Sequence, residues 1–154
     1  MEWTSHEGEL ANDDVRALLQ LHFAEMNAGS PPSACHVLAP DALDDPAITF
    51  LTLRDGSGAL LGCGALKRLS DDHGEIKSMR TAPDALGRGV GGALLARLLG
   101  LARARGMTRV SLETGNSAMF AAANRLYRRE GFVTCGPFGG YSPSDFTSFY
   151  TREI

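Results

Sequence analysis

The sequence has few of the residues that mark a secreted, membrane-spanning or metal-binding protein. Its three cysteines, Cys35, Cys63 and Cys135, are odd in number and widely spaced, so they predict small buried residues and neither a disulfide framework nor a metal site. No stretch approaches the run of about 18 uncharged apolar residues that a bilayer-spanning helix needs. The N-terminus is acidic and polar, unlike a secretory signal. These absences predict a cytoplasmic protein with no membrane segment.

A large excess of positive charge is also missing. The chain has 15 basic and 18 acidic residues, a net charge of -3, which argues against nucleic acid or an anionic membrane as a partner held mainly by electrostatics. Its 154 residues, 44% of them hydrophobic, predict a single globular domain over 1–154. Nothing in the sequence excludes a homodimer.

Hydrophobic periodicity predicts one mixed α/β domain. An amphipathic helix over 12–26 carries His22 on its apolar face. Turn residues separate three strands that predict an antiparallel meander. After the meander, β and α segments alternate. The predicted strands cover 47–53, 59–66, 75–81, 109–113, 132–135 and 145–152. One later helix opens at the glycine stretch 87–92 and runs to about 105, and another covers about 117–130.

Glycine is abundant, with 18 residues, and it concentrates at 87–92 in the sequence GRGVGG just before a predicted helix. Glycines let a backbone approach phosphate closely, and free amides at a helix start attract the anion. Two other interpretations stay open. One is a turn that merely starts the helix. The other is a dinucleotide-binding fingerprint, because Gly87, Gly89 and Gly92 fit G-x-G-x-x-G and Glu113 follows near the expected distance. The alternating strand at 75–81 and the linker at 82–86 argue against that fingerprint.

The same stretch resembles motif A of the GCN5-related N-acetyltransferase (GNAT) superfamily. Gly89-Val90-Gly91 matches its G-x-G core and Pro83 its usual proline, while 123–132 is similar to the family's A-x-x-L-Y-x-x-x-G-F signature. Leu86 departs from the usual Gln or Arg, and Phe120 from an Asn that many members carry. The resemblance implies an α/β (α+β) GNAT fold: a central, mixed, splayed sheet with helices on both sides. It implies acetyl-CoA as co-substrate and direct acetyl transfer to a primary amine.

The resemblance also implies site residues. The backbone of the motif strand would pair with pantetheine, with the Met79 N–H facing the thioester oxygen, and amides of the glycine turn would hold the pyrophosphate. The implied cofactor-binding residues are Met79, Arg80, Thr81, Gly87, Arg88, Gly89, Val90, Gly91 and Gly92. Arg125, Arg128 and Arg129 are interpreted as a solvated helix face, with a phosphate contact as the alternative.

Acetyl transfer to an alkylamine needs a base and a proton for the leaving thiolate. Glu75 matches the family's catalytic glutamate, and Glu113 is the rival base. Tyr127 matches the tyrosine proposed to protonate the thiolate; simple packing is its alternative, as a strand-end carboxylate is for Glu75. The walls of the acceptor pocket would include His22, Ser30, His36 and Tyr141, although a satisfied core histidine is the alternative for His22.

With a mildly acidic surface, the expected acceptor is a small amine or an amino-acid-like compound, and no metal is expected. A peptide N-terminus or lysine stays open. Two other functions also remain: a non-catalytic acyl-CoA-binding or regulatory module, and a dinucleotide-binding oxidoreductase.

Overall fold

The fold is one mixed sheet with helices on both faces, seen in a computed structural model that describes residues 2–31 and 36–154. The strands are β1 (Thr4–Glu7), β2 (Ile48–Arg54), β3 (Leu60–Arg68), β4 (His73–Thr81), β5 (Arg109–Gly115), β6 (Val133–Cys135) and β7 (Thr147–Glu153). The helices are α1 (Asp13–Gly29), α2 (Val90–Ala104) and α3 (Ala121–Arg129). Short 3-10 turns at Pro40–Leu43, Pro83–Ala85 and Ala118–Phe120 complete the described elements.

The sheet order is β1-β2-β3-β4-β5-β7-β6, and its neighbours pair antiparallel except for β4 and β5, which run parallel. The predicted meander of β2, β3 and β4 is confirmed. Strand β1 was not predicted. It pairs with β2 at the edge of the sheet, and all four of its residues are exposed. It therefore lacks the alternating apolar pattern by which a strand is recognised in a sequence.

Apolar side chains alternate between the two faces of the strands, so the sheet has a hydrophobic core on each face. Phe50 faces α1, where it packs with Val15 and Leu18, whereas the next residue, Leu51, packs on the opposite face with Leu95 and Leu98 of α2. The prediction of helices on both sides is therefore confirmed. Cys63 is buried beneath α1 and Cys135 is half-buried, and both are free thiols; Cys35 and Pro32 lie outside the described residues.

The two parallel strands separate part-way along their length. Pairing runs from His73 with Arg109 to Ile76 with Leu112 and then stops, while β5 stays paired with β7 as far as Gly115. Beyond Ile76, β4 carries a bulge at which Ser78 has φ +55° and the register with β3 shifts. The expected splay is thus present, and this largely antiparallel sheet is not the parallel sheet of a dinucleotide-binding oxidoreductase.

Among the described residues, no helix has the length and apolar character needed to cross a bilayer.

Candidate functional site

A cavity of about 600 Å³ opens where β4 and β5 separate. Its walls come from α1, β4, the turn before α2, the end of β5, α3 and the loop between β6 and β7. The sequence-predicted residues that line it are Glu75, Glu113, Tyr127, Met79, Arg80, Thr81, Gly87, Gly89, Val90, Gly91, Gly92, His22, Ser30, His36 and Tyr141. The structure therefore brings residues from distant parts of the sequence to one cleft.

The glycine turn forms one end of this cavity. Gly87 and Gly89 have φ of +76° and +84°, in the left-handed region where a side chain is strained. Gly89 is the N-cap of α2, directly before its first residue. The first amides of α2 lack partners within the helix, as at every helix start. Their partial positive charge lies at the cavity wall, which suits an anion.

Two arginines lie near the glycine turn, Arg88 within it and Arg129 on α3. The Arg88 guanidinium lies 5.8 Å from the centre of the Trp3 ring, and the described lining of the cavity does not include Arg88. Arg129 does line the cavity; its Nη2 is 4.0 Å from where a β-carbon on Gly92 would stand. Because its side chain remains largely exposed, Arg129 is both a solvated residue and a cation at the rim of the glycine turn.

Glu75 lies in a buried polar cluster with Lys77 and Tyr141. The Tyr141 hydroxyl donates to Glu75 Oε2 at 2.7 Å, and Lys77 Nζ donates to the same oxygen at 3.2 Å and to the Tyr141 oxygen at 2.7 Å. Glu75 is 3% exposed, so these donors offset the cost of burying its charge. Burial and the neighbouring Glu75 carboxylate raise the pKa of Tyr141, which keeps its hydroxyl protonated as a donor.

Glu113 forms a second polar pair, with His36. Both carboxylate oxygens of Glu113 lie close to His36 Nδ1, at 2.7 and 2.9 Å. The carboxylate side chain is 9% exposed and the imidazole 33%, so the histidine is the more accessible partner. The His36 ring also packs against Tyr141, with 4.9 Å between ring centres. Tyr141 therefore contacts both the His36–Glu113 pair and the cluster of Glu75 and Lys77.

Tyr127 has one face in the core and one at the cavity. Its ring packs against Phe132 and Tyr150, with centres 5.9 and 6.2 Å apart. Burial raises the pKa of Tyr127 to about 12, so the hydroxyl stays protonated at neutral pH. Core packing and contact with the cavity are therefore both features of this side chain.

The wall on the α1 side holds His22, Glu25 and Arg80. Arg80 Nη1 lies 2.8 Å from Glu25 Oε1, and burial, helped by the Arg80 charge, lowers the pKa of His22 to about 4. His22 is consequently neutral at pH 7. Ser30 stands at the end of α1 beside this wall.

Three lining side chains bury polar atoms that have no partner among the described residues: His22 Nδ1, Ser78 Oγ and Thr147 Oγ1. An unsatisfied buried polar group costs about 1–3 kcal/mol, so a polar molecule in the cavity would stabilise them. The described residues contain no group of three or more metal-ligating side chains.

Comparison with known proteins identifies the family. The model of the acetyltransferase (GNAT) family matches residues 15–132, which include β4, the glycine turn and α3. The chain belongs to the GNAT acetyltransferases. It is 43% identical over 146 residues to "Uncharacterized N-acetyltransferase YedL" of Escherichia coli, covering 95% of this chain and 91% of that protein. It is 40% identical to "Uncharacterized N-acetyltransferase YsnE" of Bacillus subtilis, covering 95% of this chain and 96% of that one.

Solved structures of GNAT acetyltransferases share the fold. One from Elizabethkingia anophelis, with acetyl-CoA bound, aligns with a TM-score of 0.72 over 99% of this chain and 98% of that chain, at 19% identity. The fold class and the assignment as an N-acetyltransferase enzyme of the GNAT family, both expected from the sequence, are therefore confirmed.

The sequence analysis of this GNAT chain missed some lining residues. Lys77 and Thr147 belong to no recognised motif. In the folded sheet Lys77 lies beside Glu75, and Thr147 pairs with Gly115 at the end of β5. Phe120, which replaces the family's common Asn, packs its ring directly against Gly115, where a β-carbon would clash with it.

Proposed function

We propose that this protein transfers the acetyl group of acetyl-CoA to the primary amine of a small-molecule or amino-acid-like acceptor, with residues 1–154 acting as one catalytic domain. The observation that carries the proposal is the separation of β4 from β5 next to the glycine turn, because one cavity joins both features. An extended pantetheine arm and its phosphates need these two surfaces together.

The residues present fit acetyl-CoA. Residues 77–81 have no β5 partner, so backbone groups on that side of β4 can pair with an extended arm as a strand would. The amides between Arg88 and Gly92 would hold the pyrophosphate, with Arg129 close enough to supply a cation. The relative with acetyl-CoA bound supports this placement through its shared fold.

The chemistry needs no covalent enzyme intermediate. The acceptor nitrogen forms a bond to the thioester carbon, the C–S bond breaks, and its electron pair leaves with sulfur. The Met79 N–H would stabilise the developing oxyanion, a contribution worth about 3 kcal/mol where it is oriented. Tyr127 would donate its proton toward the sulfur, and its raised pKa ensures that the proton is present.

The acceptor end of the cavity favours a small cation over a polymer. Of the three glutamates in the walls, Glu25 is paired with Arg80 and Glu75 with Lys77. The Glu113 carboxylate, beside His36, has no lysine or arginine partner among the described residues, and the chain carries a net charge of -3. The buried polar atoms of His22, Ser78 and Thr147, which have no partner within 2–31 and 36–154, would be satisfied by an acceptor with further polar groups. An amino-acid-like amine combines both properties.

Thermal unfolding with acetyl-CoA, CoA, NAD or NADP tests the cofactor, followed by thiol release over a panel of primary amines. A ligand at 100 times its Kd adds about 2.7 kcal/mol to the unfolding free energy. We expect stabilisation by the CoA species, none by NAD or NADP, and thiol release with at least one amine. Stabilisation without turnover would instead identify an acyl-CoA-binding module, and stabilisation by NAD alone would overturn the proposal.

A further inference from the structure

The His36–Glu113 pair has the geometry of an oriented base. A carboxylate only accepts hydrogen bonds, so the proton between these groups belongs to His36 Nδ1, which donates to Glu113 at 2.7 Å. In a neutral imidazole that places the lone pair on Nε2. No described residue bonds to Nε2, and the His36 side chain lines the cavity with a third of its surface accessible.

We propose that His36 is the base that deprotonates the acceptor amine, and that Glu113 is a positioning residue that fixes its tautomer and ring orientation. The inference deepens the proposed function and rests on it. It gives His36 and Glu113 a joint role, where the sequence suggested a pocket wall and a rival base.

The alternative base, Glu75, is held differently. Its Oε2 already accepts from Lys77 Nζ and from the Tyr141 hydroxyl, and its side chain is almost completely enclosed. This arrangement makes Glu75 the anchor of the Tyr141 ring, on which the His36 imidazole packs. An acceptor can therefore reach His36 Nε2 more readily than the Glu75 carboxylate.

The proton balance is simple. An alkylammonium acceptor gives one proton to His36 Nε2, and the neutral amine then forms the N–C bond. The proton that nitrogen loses on becoming an amide balances the one that sulfur gains, while His36 returns its own proton to solvent. Within the described residues, the titratable groups around His36 are Glu113 from β5, Tyr141 from the loop after β6, and, behind Tyr141, Glu75 and Lys77 from β4.

His36→Asn tests the base with little change in shape. The Asn Nδ2 can still donate to Glu113, but nothing replaces the Nε2 lone pair. With an alkylamine acceptor we expect kcat/KM at pH 7 to fall about 100-fold. The acid limb of the pH profile should move up toward the pKa of the free amine, because only the neutral amine then reacts. With hydroxylamine, which is already neutral at pH 7 and needs no base, we expect a loss of less than about 10-fold.

Three further variants make the test selective. Glu113→Gln should lower the alkylamine rate and shift the acid limb, again with a smaller effect on hydroxylamine. His6→Asn, a matched change in the exposed edge strand β1, should leave both rates unchanged. Glu75→Gln is the competitor: if it moves the acid limb toward the pKa of the free amine while His36→Asn leaves the limb in place, the inference is overturned.

The failures are distinguishable. Equal losses with both acceptors, or no loss, in a His36→Asn variant that acetyl-CoA still stabilises would overturn the role of His36 and leave the proposed function standing. A wild-type protein that releases no thiol with any amine would overturn both.

Discussion

Tyr127 combines two demands on one side chain. Its ring fills the core beside Phe132 and Tyr150, yet the side chain also lines the cavity. Burial is the cause of the rise in its pKa, with no hydrogen bond from a described residue behind it. Because burial raises the pKa of Tyr127 to about 12, full proton transfer to a thiolate of ordinary pKa near 8.5 is uphill. The hydroxyl therefore contributes chiefly by donating a hydrogen bond as negative charge builds on sulfur.

Tyr127→Phe should lower kcat about 100-fold. It should leave the free energy of unfolding unchanged, because no described residue is hydrogen-bonded to the Tyr127 hydroxyl. Tyr150→Phe is the matched control. The Tyr150 hydroxyl donates to Asn124 Oδ1 at 2.8 Å away from the cavity lining, so its loss should cost about 1 kcal/mol of stability and leave kcat unchanged. Steady-state kinetics and urea unfolding measure the two effects. A Tyr127→Phe enzyme with wild-type kcat would reduce this residue to packing.

The sequence predicted which residues line the site more fully than how they pair. Glu75, Glu113, His36 and Tyr141 all line one cavity, but their separation along the chain gave no indication that Glu113 would contact His36. Lys77 was missed because a lysine on an alternating strand is ordinarily solvated; here the loop carrying Tyr141 covers it.

At the scale of elements, the start of α2 is where the backbone conformation matters most. Gly89→Ala places a β-carbon at φ +84°, which costs about 1–2 kcal/mol and displaces the first amides of the helix. We expect a marked loss of the stabilisation by acetyl-CoA.

Gly100→Ala is the control. Gly100 lies in the helix that Gly89 caps and is exposed, with open space around it, so the change should add about 0.5–1 kcal/mol of stability and leave acetyl-CoA binding unchanged. Thermal unfolding with and without acetyl-CoA compares the two. Equal responses to the ligand would remove the glycine turn from the binding site.

The attachment of α1 to the sheet depends on Arg54. This β2 side chain donates to both oxygens of Asp14 in the first turn of α1, and to Glu9 at 3.0 Å. The Arg54 hydrogen bonds lower the pKa of Asp14, and although burial opposes it, hydrogen bonds from Thr52 and Arg54 lower the pKa of Glu9 as well.

Arg54→Met should therefore cost about 1 kcal/mol at pH 7, since the carboxylates are partly exposed. Lowered carboxylate pKa values stabilise the folded state above their ordinary values of 3.8 and 4.5, and that contribution is lost as pH falls below them. The difference between wild type and variant should shrink toward pH 2 in urea titrations. A constant difference would show that packing of the arginine stem dominates.

Helices and strands were predictable where the sequence has a periodic apolar pattern. The meander, the three helices and the closing strands followed from periodicity and turn residues, whereas β1 is a polar, exposed edge strand that only its pairing with β2 defines. The separation of β4 and β5 came from the family resemblance alone. It depends on where the ladder stops, at Ile76 and Leu112, and no local pattern encodes that point.

For the whole molecule, buried histidines predict how stability depends on pH. Burial and the Arg80 charge lower the pKa of His22 from 6.5 to about 4, so between these values the unfolded chain binds more protons than the folded one. Stability is full above pH 6.5 and falls as pH drops toward 4, by an amount on the order of 3 kcal/mol. His73, whose pKa burial also lowers, adds to the same window.

His22→Leu should remove most of this slope. A leucine keeps the side chain apolar inside the α1 wall and eliminates the unpartnered Nδ1, so stability at pH 7.5 should be unchanged or higher. Urea unfolding at half-unit steps from pH 7.5 to 4 gives the two curves. Arg54→Met serves as the control, because it acts through carboxylates at lower pH and its slope above about pH 5 should stay that of the wild type. If His22→Leu keeps the full slope, the proton uptake between pH 6.5 and 4 belongs to other groups, of which His73 is the first to test.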